Sequence, residues 1–386
     1  MTAGRPAWAE VDLAAVAANA ATLAAAAAPA ALCAVVKADG YGHGSVPVAR
    51  AALGAGATWL AVAMAAEGAV LRAAGIDAPI LVLAEPAPGE LDEVVAQGLR
   101  ATVCTMAGIE ALAKAVARAG ADPLPVHLKV DTGMHRIGAP PVEARALAAA
   151  VAERGELVWE GLWTHCAVAD QPGHPFTAVQ ADRFDAVVDE LGAAGLRPPV
   201  VHAANSAAAL DHPRLRHDLV RCGIALYGLD PSPALAGRVP LHPALRLVSE
   251  VAALRTVAAG EAVSYGLRSC VVADTVMATV PLGYADGVAR RLFDVGAEVL
   301  IGGRRRPLAG TVTMDQVVVD CGPPGAAPAV AVGDEVVLIG SQGGARVGAE
   351  EWAERLGTIA YEVVCGISWR VPRRYRGGGA GAGHSS

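Results

Sequence analysis

The chain lacks any CxxC pair: its seven cysteines, at 33, 104, 166, 222, 270, 321 and 365, are odd in number and widely scattered. That spacing excludes a disulfide framework and a zinc site, so no metal is expected, and it fits a reducing, cytoplasmic compartment. Basic character is missing as well. A formal charge of −7 and a pI near 5.8 leave no footprint for nucleic acid. A membrane-spanning segment is missing despite 54% hydrophobic residues and a mean hydropathy of +0.40. Leu13 to Val36 carries no charge, yet it is mostly alanine and is interrupted by Asn19 and Pro29. Alanine builds helices well and anchors poorly in a bilayer. No basic stretch leads into a compact apolar core, so no export signal is expected. No internal repeat is visible.

What is present is a regular alternation. Asp12 ahead of Leu13, Val16 and Leu23 reads as the cap of an amphipathic helix. Short apolar runs follow at Leu32–Lys37, Trp59–Ala63, Ile80–Leu83, Ala101–Val103, Val126–Val130, Val158–His165, Val200–Ala203 and Leu219–Ile224, with helical stretches between them. Eight strands alternating with helices predict an α/β fold with an N-terminal (β/α)8 TIM-like barrel; an open doubly wound sheet is the alternative. Prolines cluster near Ser232 to Pro243, and beyond them short alternating runs predict a mostly antiparallel C-terminal β domain. The expected runs are Leu247–Val257, Val271–Val280, Glu298–Ile301, Thr311–Val319 and Glu335–Ile339, with a solvated turn at Gly303–Pro307 and one late helix at Trp352–Leu356. The expected division is a barrel over 10–236, a β domain over 237–376 joined by 1–9, and a disordered tail over 377–386.

The most informative segment is Val36-Lys37-Ala38-Asp39-Gly40-Tyr41-Gly42-His43-Gly44. An apolar strand ends in a lysine at the rim of the core, where desolvation disfavours the ammonium form. Gly40, Gly42 and Gly44 let the backbone turn sharply and approach a ligand. Read alone, the segment favours an ordinary lysine at a strand end. The other strand ends reverse that reading, because a barrel enzyme places its chemistry there. They carry Lys129 with Asp131 to Arg136, Thr164-His165, Asn205-Ser206, and Arg221 with Gly223-Ile224. Ser206, Gly223 and Ile224 could supply hydroxyl and backbone N–H donors to a phosphate.

These motifs, with Val263-Ser264-Tyr265-Gly266, Gly283-Tyr284-Ala285-Asp286-Gly287, Met314-Asp315-Gln316 and Tyr361-Glu362-Val363, resemble those of the alanine racemases. The likeness runs from about Trp8 to Tyr375. It implies a cytoplasmic enzyme dependent on pyridoxal 5′-phosphate (PLP), active on alanine as a homodimer with shared sites, and supplying D-alanine for peptidoglycan. By this resemblance Lys37 anchors PLP covalently and then serves as one base. Tyr265 of the partner subunit is the second, on the opposite face of the α-carbon. His165 stands beside that tyrosine. Arg221 faces the pyridine nitrogen and donates a hydrogen bond without giving up a proton. Arg136 holds the PLP phenolic oxygen and the substrate carboxylate. Lys129 matches a lysine that is often carbamylated. Tyr41, Ser206, Gly223, Ile224 and Tyr361 match phosphate-binding positions, with Asn205 beside them. Met314 meets the substrate carboxylate, and Tyr284 narrows the entrance.

Read without the resemblance, Tyr265 is a buried strand aromatic, His165 a satisfied core histidine, and Arg221 half of a salt bridge to Asp218 or another acid. Thr313, Cys166 and His135 depart from the commonest family pattern without removing a catalytic group. A broader-specificity racemase, a barrel decarboxylase and a PLP-carrier protein remain as alternatives. Arg221 argues against the second, and the β domain argues against the third.

Overall fold

The computed structural model describes residues 4–326 and 329–377. The expected tail beyond Gly377 and the first three residues lie outside the described residues. The chain divides into two compact units: Ala14–Pro243, and Met1–Leu13 together with Ala244–Ser386.

In the first unit eight parallel strands run at Ala31–Val35, Ala57–Val62, Ile80–Val82, Ala101–Val103, Leu124–Lys129, Leu157–Trp163, Val200–His202 and Leu219–Cys222. Two four-stranded stretches meet on both sides. Arg100 N–H donates to Ile80 O at 2.9 Å and Val82 N–H to Arg100 O at 2.9 Å. Opposite them, Asp218 N–H donates to Val201 O and Arg221 N–H to Ala204 O, both at 2.9 Å. The sheet therefore closes into a barrel without a free edge, and the open-sheet alternative falls. Its strands are short apolar runs because helices such as Met106–Ala119 and Phe176–Ala193 cover their outer faces.

The unit extends past the expected boundary at 236 for a local reason. Buried Asn19 donates to Leu226 O (3.1 Å) and His242 O (2.9 Å) and accepts from His242 N–H (2.8 Å). One side chain thus ties the proline-rich segment to the barrel.

In the second unit Ala7–Asp12 lies between antiparallel Leu245–Glu250 and parallel Arg373–Arg376. The sheet continues through Glu335–Gln342 to Glu298–Ile301 and Arg304–Pro307. A smaller antiparallel sheet joins Ala253–Val257, Thr275–Val280 and Val317–Asp320. Several expectations need correction here. Gly303–Pro307 is not a solvated turn: only Gly302-Gly303 turns, both at positive φ, and Arg304–Pro307 pairs with Glu298–Ile301. Of its three arginines only Arg306 is buried, against the Cys321 carbonyl, while exposed Arg305 pairs with Glu298 and Glu351. The expected strand over Thr311–Val319 begins only at Val317, because 311–316 form a loop. The late helix is Ala349–Leu356, and a second one, Ala360–Cys365, follows. No helix among the described residues is long and apolar enough to cross a membrane.

Candidate active site

Strand one ends at Val35, and Lys37 opens a turn of unusual hand. Ala38, Asp39, Gly40 and Tyr41 all have φ between 50° and 61°. Gly40 N–H bonds Val36 O and Gly42 N–H bonds Ala38 O, both at 2.9 Å, so the segment is one left-handed helical turn. Each non-glycine residue in that conformation costs about 1–2 kcal/mol. External bonds hold it. Glu67 accepts from Ala38 N–H at 2.6 Å and from Ala63 N–H at 2.7 Å, while Asp39 accepts from Ser45 N–H at 2.8 Å. Tyr227, fully buried, packs against Tyr41 and His43 and donates to Val35 O at 3.0 Å. Sequence reading anticipated the glycines and missed Glu67, whose role depends on a neighbouring strand loop.

Arg221 is the hub of the mouth. It is buried and has no ion pair among the described residues; Asp218 pairs instead with Arg197. Its guanidinium donates to Thr164 O (2.9 Å), Ala203 O (3.1 Å), His202 Nδ1 (2.9 Å) and His165 Nδ1 (3.2 Å), and it lies over the Trp163 ring. Burial lowers it to about 10, so it stays a cation at neutral pH. His165 is held well below the usual histidine range, by burial first and then by Arg221, Lys129, Arg136 and Lys37. Those four cations therefore converge on one neutral imidazole. Buried Gln180 fixes its backbone by donating to His165 O at 3.1 Å. Gln180 lies on a helix distant in sequence and carried no motif signal.

Lys129 ends strand five, buried, with its ammonium 4.3 Å from the Trp163 ring centroid. Burial, then Arg221 and Arg136, lower it to about 8. Arg136 is exposed and makes no hydrogen bond or ion pair among the described residues. Asp131 accepts from the Gly133 and His135 N–H groups at 2.9 and 3.1 Å and shapes the loop that carries it.

On the other side of the mouth the Gly223 N–H donates to Ser206 Oγ at 2.9 Å. A Cβ on Gly223 would lie 2.4 Å from the Tyr41 hydroxyl, so glycine is required there. Tyr41, Ser206, Gly223 and Ile224 thus gather hydroxyl and N–H donors at one place. The Asn205 side chain caps helix Ser206–Asp211 through Ala208 N–H at 3.0 Å, and so positions Ser206.

The β unit presents its own group. Tyr265 begins a short 3-10 turn and is 73% exposed, not a buried strand aromatic. Thr311 Oγ1 donates to Tyr265 O at 3.0 Å, and Ser264 Oγ to Thr311 O at 2.7 Å. Tyr284 N–H donates to Thr313 O at 2.9 Å and Ala285 N–H to Met314 O at 3.0 Å. Tyr265, Tyr284 and Met314, all exposed, therefore ride on one hydrogen-bonded platform. Fully buried Asp286 anchors it: Arg5 binds both carboxylate oxygens, and Arg370 links Asp286 (3.4 Å) to Asp315 (2.6 Å). Tyr361 sits on Ala360–Cys365 in the same unit.

The family profile described as alanine racemase, N-terminal domain, matches residues 11–231, and that described as alanine racemase, C-terminal domain, matches 244–375. An alanine racemase of Symbiobacterium thermophilum is 50% identical, over 97% of this chain and 98% of its own length. One from Thermobifida fusca is 47% identical, over 96% and 98%. Among solved structures, the alanine racemase of D-cycloserine-producing Streptomyces lavendulae superposes with a TM-score of 0.90 at 41% identity, covering 97% of this chain and 98% of that one. The enzyme from E. faecalis gives 0.91 at 40% identity, covering 97% and 100%. With two family profiles spanning both units and relatives aligned from end to end, this chain belongs to the alanine racemase family.

Proposed function

We propose that the protein is a PLP-dependent alanine racemase that interconverts L- and D-alanine by a two-base mechanism, as a homodimer with shared sites. The observation that carries the reading is the barrel mouth: a buried arginine without an acidic partner, fixing a neutral histidine on which Lys37, Lys129 and Arg136 also bear.

The residues fit PLP. Lys37 offers an amine, and the strained turn after it fixes the direction of its backbone. Tyr41, Ser206, Gly223 and Ile224 offer a phosphate cradle that a Cβ at Gly223 would fill. Tyr361 joins that cradle by family resemblance, with Asn205 positioning Ser206. Arg221 supplies a donor for the ring nitrogen that keeps its own proton, since about 10 lies well above working pH. When bound, PLP supplies an electron-withdrawing ring that acidifies the α-C–H of the substrate.

Inversion needs a proton removed on one face and delivered on the other. The Lys37 amine serves one face. The phenol of Tyr265 from a second copy serves the other, supported by its exposure and its platform with Tyr284 and Met314. A free phenol has a pKa of about 10, so its anion needs help near neutrality. His165 gives that help. It accepts from Arg221 at Nδ1, so its proton stands on Nε2, available to a phenolate oxygen. Arg136, exposed and unpaired among the described residues, binds the substrate carboxylate together with the Met314 N–H. Tyr284 restricts the side-chain space to a methyl group. Lys129, lowered to about 8, is nucleophilic enough to take up carbon dioxide, and the resulting carbamate would orient Arg136 where the ammonium repels it.

We assign the product to peptidoglycan synthesis in the cytoplasm. Deletion of the gene should then create a requirement for D-alanine, and growth without it would contradict that role. Activity is tested by incubating the PLP-loaded protein with L-alanine and separating the enantiomers. D-alanine formed by the wild type and not by folded Lys37→Ala is the expected result. Equal rates on serine, lysine and arginine would replace the reading with a broad-specificity racemase.

A further inference from the structure

Behind Arg221, deep in the barrel, two fully buried histidines continue the contacts of its guanidinium. Arg221 Nη1 meets His202 Nδ1 at 2.9 Å, His202 Nε2 meets His127 Nδ1 at 2.8 Å, and His127 Nε2 meets Glu160 Oε2 at 3.0 Å. Arg100 Nε stands 3.5 Å from the same carboxylate oxygen. Arginine only donates, so His202 Nδ1 must accept and its proton must sit on Nε2. That proton makes His127 Nδ1 an acceptor, which places the second proton on His127 Nε2, pointing at Glu160. Every step is forced by the one before it.

The backbone is built around this chain of contacts. Strand six pairs Val126 with Trp159 but His127 with Gly161, so Glu160 is the extra residue of a bulge, a device that re-aims a side chain. A Cβ at Gly161 would lie 2.2 Å from His127 Nδ1; only glycine leaves the imidazole its place. Trp163 stacks on His202 at an interplanar angle of 6°, and Trp59 meets His127 edge-on. Burial holds both histidines below their usual range, in keeping with neutral rings.

We infer that His127 and Glu160 are positioning residues, which through a one-way relay of neutral imidazoles fix the tautomer of His202 and so the seat of Arg221 at the barrel mouth. Without Glu160 at its end, the His127 proton loses its acceptor and either ring can adopt the other tautomer. His202 with its proton on Nδ1 can no longer accept from Arg221. The effect on catalysis rests on the proposed role of Arg221; the tautomers do not.

The test is 15N spectroscopy of the protein labelled at histidine, PLP-free and PLP-loaded, with signals assigned by single substitution. Both His127 and His202 should show a bare Nδ1 and a protonated Nε2 in both forms. A protonated Nδ1, or an imidazolium, at either residue overturns the relay. His127→Leu should release the His202 tautomer and lower kcat about tenfold, the rate equivalent of one hydrogen bond, with KM within about twofold. His127→Asn, which keeps an acceptor near Nδ1, should restore the His202 signal and most of kcat. An unchanged His202 signal and kcat in His127→Leu would contradict the positioning role, and Glu160→Leu, which removes the acceptor of the His127 proton, asks the same question should that variant not fold. The expected tautomers in a protein that does not racemise alanine would support the relay and defeat the racemase reading.

Discussion

At Gly223 the main chain and the Tyr41 hydroxyl approach so closely that an added methyl group would collide with the hydroxyl. Overpacking at such a contact costs about 1–3 kcal/mol, so Gly223→Ala should weaken PLP binding about ten- to a hundredfold in a cofactor titration while the fold persists. Binding at wild-type strength would remove Tyr41 and Gly223 from the phosphate site. Lys129 gives a second test. Its proton is held less tightly in the folded chain, at about 8, than at the ordinary 10.5. Between those values the unfolded chain binds more protons, so stability relative to Lys129→Gln should rise as pH climbs from about 8 to 10.5. Denaturation across that window with carbon dioxide excluded checks the sign, and a fall would contradict it. With 13C-bicarbonate, a carbamate resonance should appear in the wild type and be absent from Lys129→Gln. Lysines, arginines and tyrosines at strand ends were legible in the sequence because each is an unusual residue type in an apolar setting. Glu67, Gln180, His127 and Glu160 were not, because what each does depends on a partner brought close only by barrel closure.

Among the elements, the turn from Lys37 to Tyr41 shows where pattern reading runs out. A continuous apolar run and the glycines after it announce a strand followed by a turn, and both are there. Nothing in local propensity announces Ala38, Asp39 and Tyr41 at positive φ, since none of the three prefers it. The conformation is imposed from outside, by Glu67, by Asp39 on Ser45, and by the Tyr227 ring. Glu67→Ala should therefore cost about 1–2 kcal/mol of stability, as expected for charge-assisted bonds to backbone N–H groups, and lower kcat more than it raises KM. Denaturation and steady-state kinetics of this variant decide; wild-type values for both would mean that the turn holds itself. In the β unit the register of hydrophobicity predicted strands well at Glu298–Ile301 and Glu335–Ile339. It failed at Gly303–Pro307, where three arginines read as solvent-exposed although the hairpin buries the last of them, Arg306.

On the scale of the whole molecule, the residues of the proposed site fall in both units. Lys37, Lys129, Arg136, His165 and Arg221 belong to the barrel unit; Tyr265, Tyr284, Met314 and Tyr361 belong to the β unit. The eight-stranded alternation made the barrel legible, since each strand is a short apolar run bounded by helix. The extension of that unit to Pro243 was less so, because it depends on Asn19 reaching two carbonyls far along the chain. If a second copy completes each site, Lys37→Ala and Tyr265→Ala should each be inactive alone. Mixed and reassociated, they should recover about a quarter of wild-type activity, from heterodimers with one intact site. No recovery, with mixed dimers present, would place both bases in one chain.

The most direct measurement follows the α-proton. The PLP-loaded protein is incubated with L-alanine in heavy water, and both deuterium at the α-carbon and the appearance of D-alanine are recorded for the wild type, Lys37→Ala and Tyr265→Ala. Two bases on opposite faces predict deuterium and D-alanine together in the wild type, and D-alanine lost in each variant. Deuterium without inversion in the wild type, or undiminished inversion in Tyr265→Ala, would contradict the two-base account.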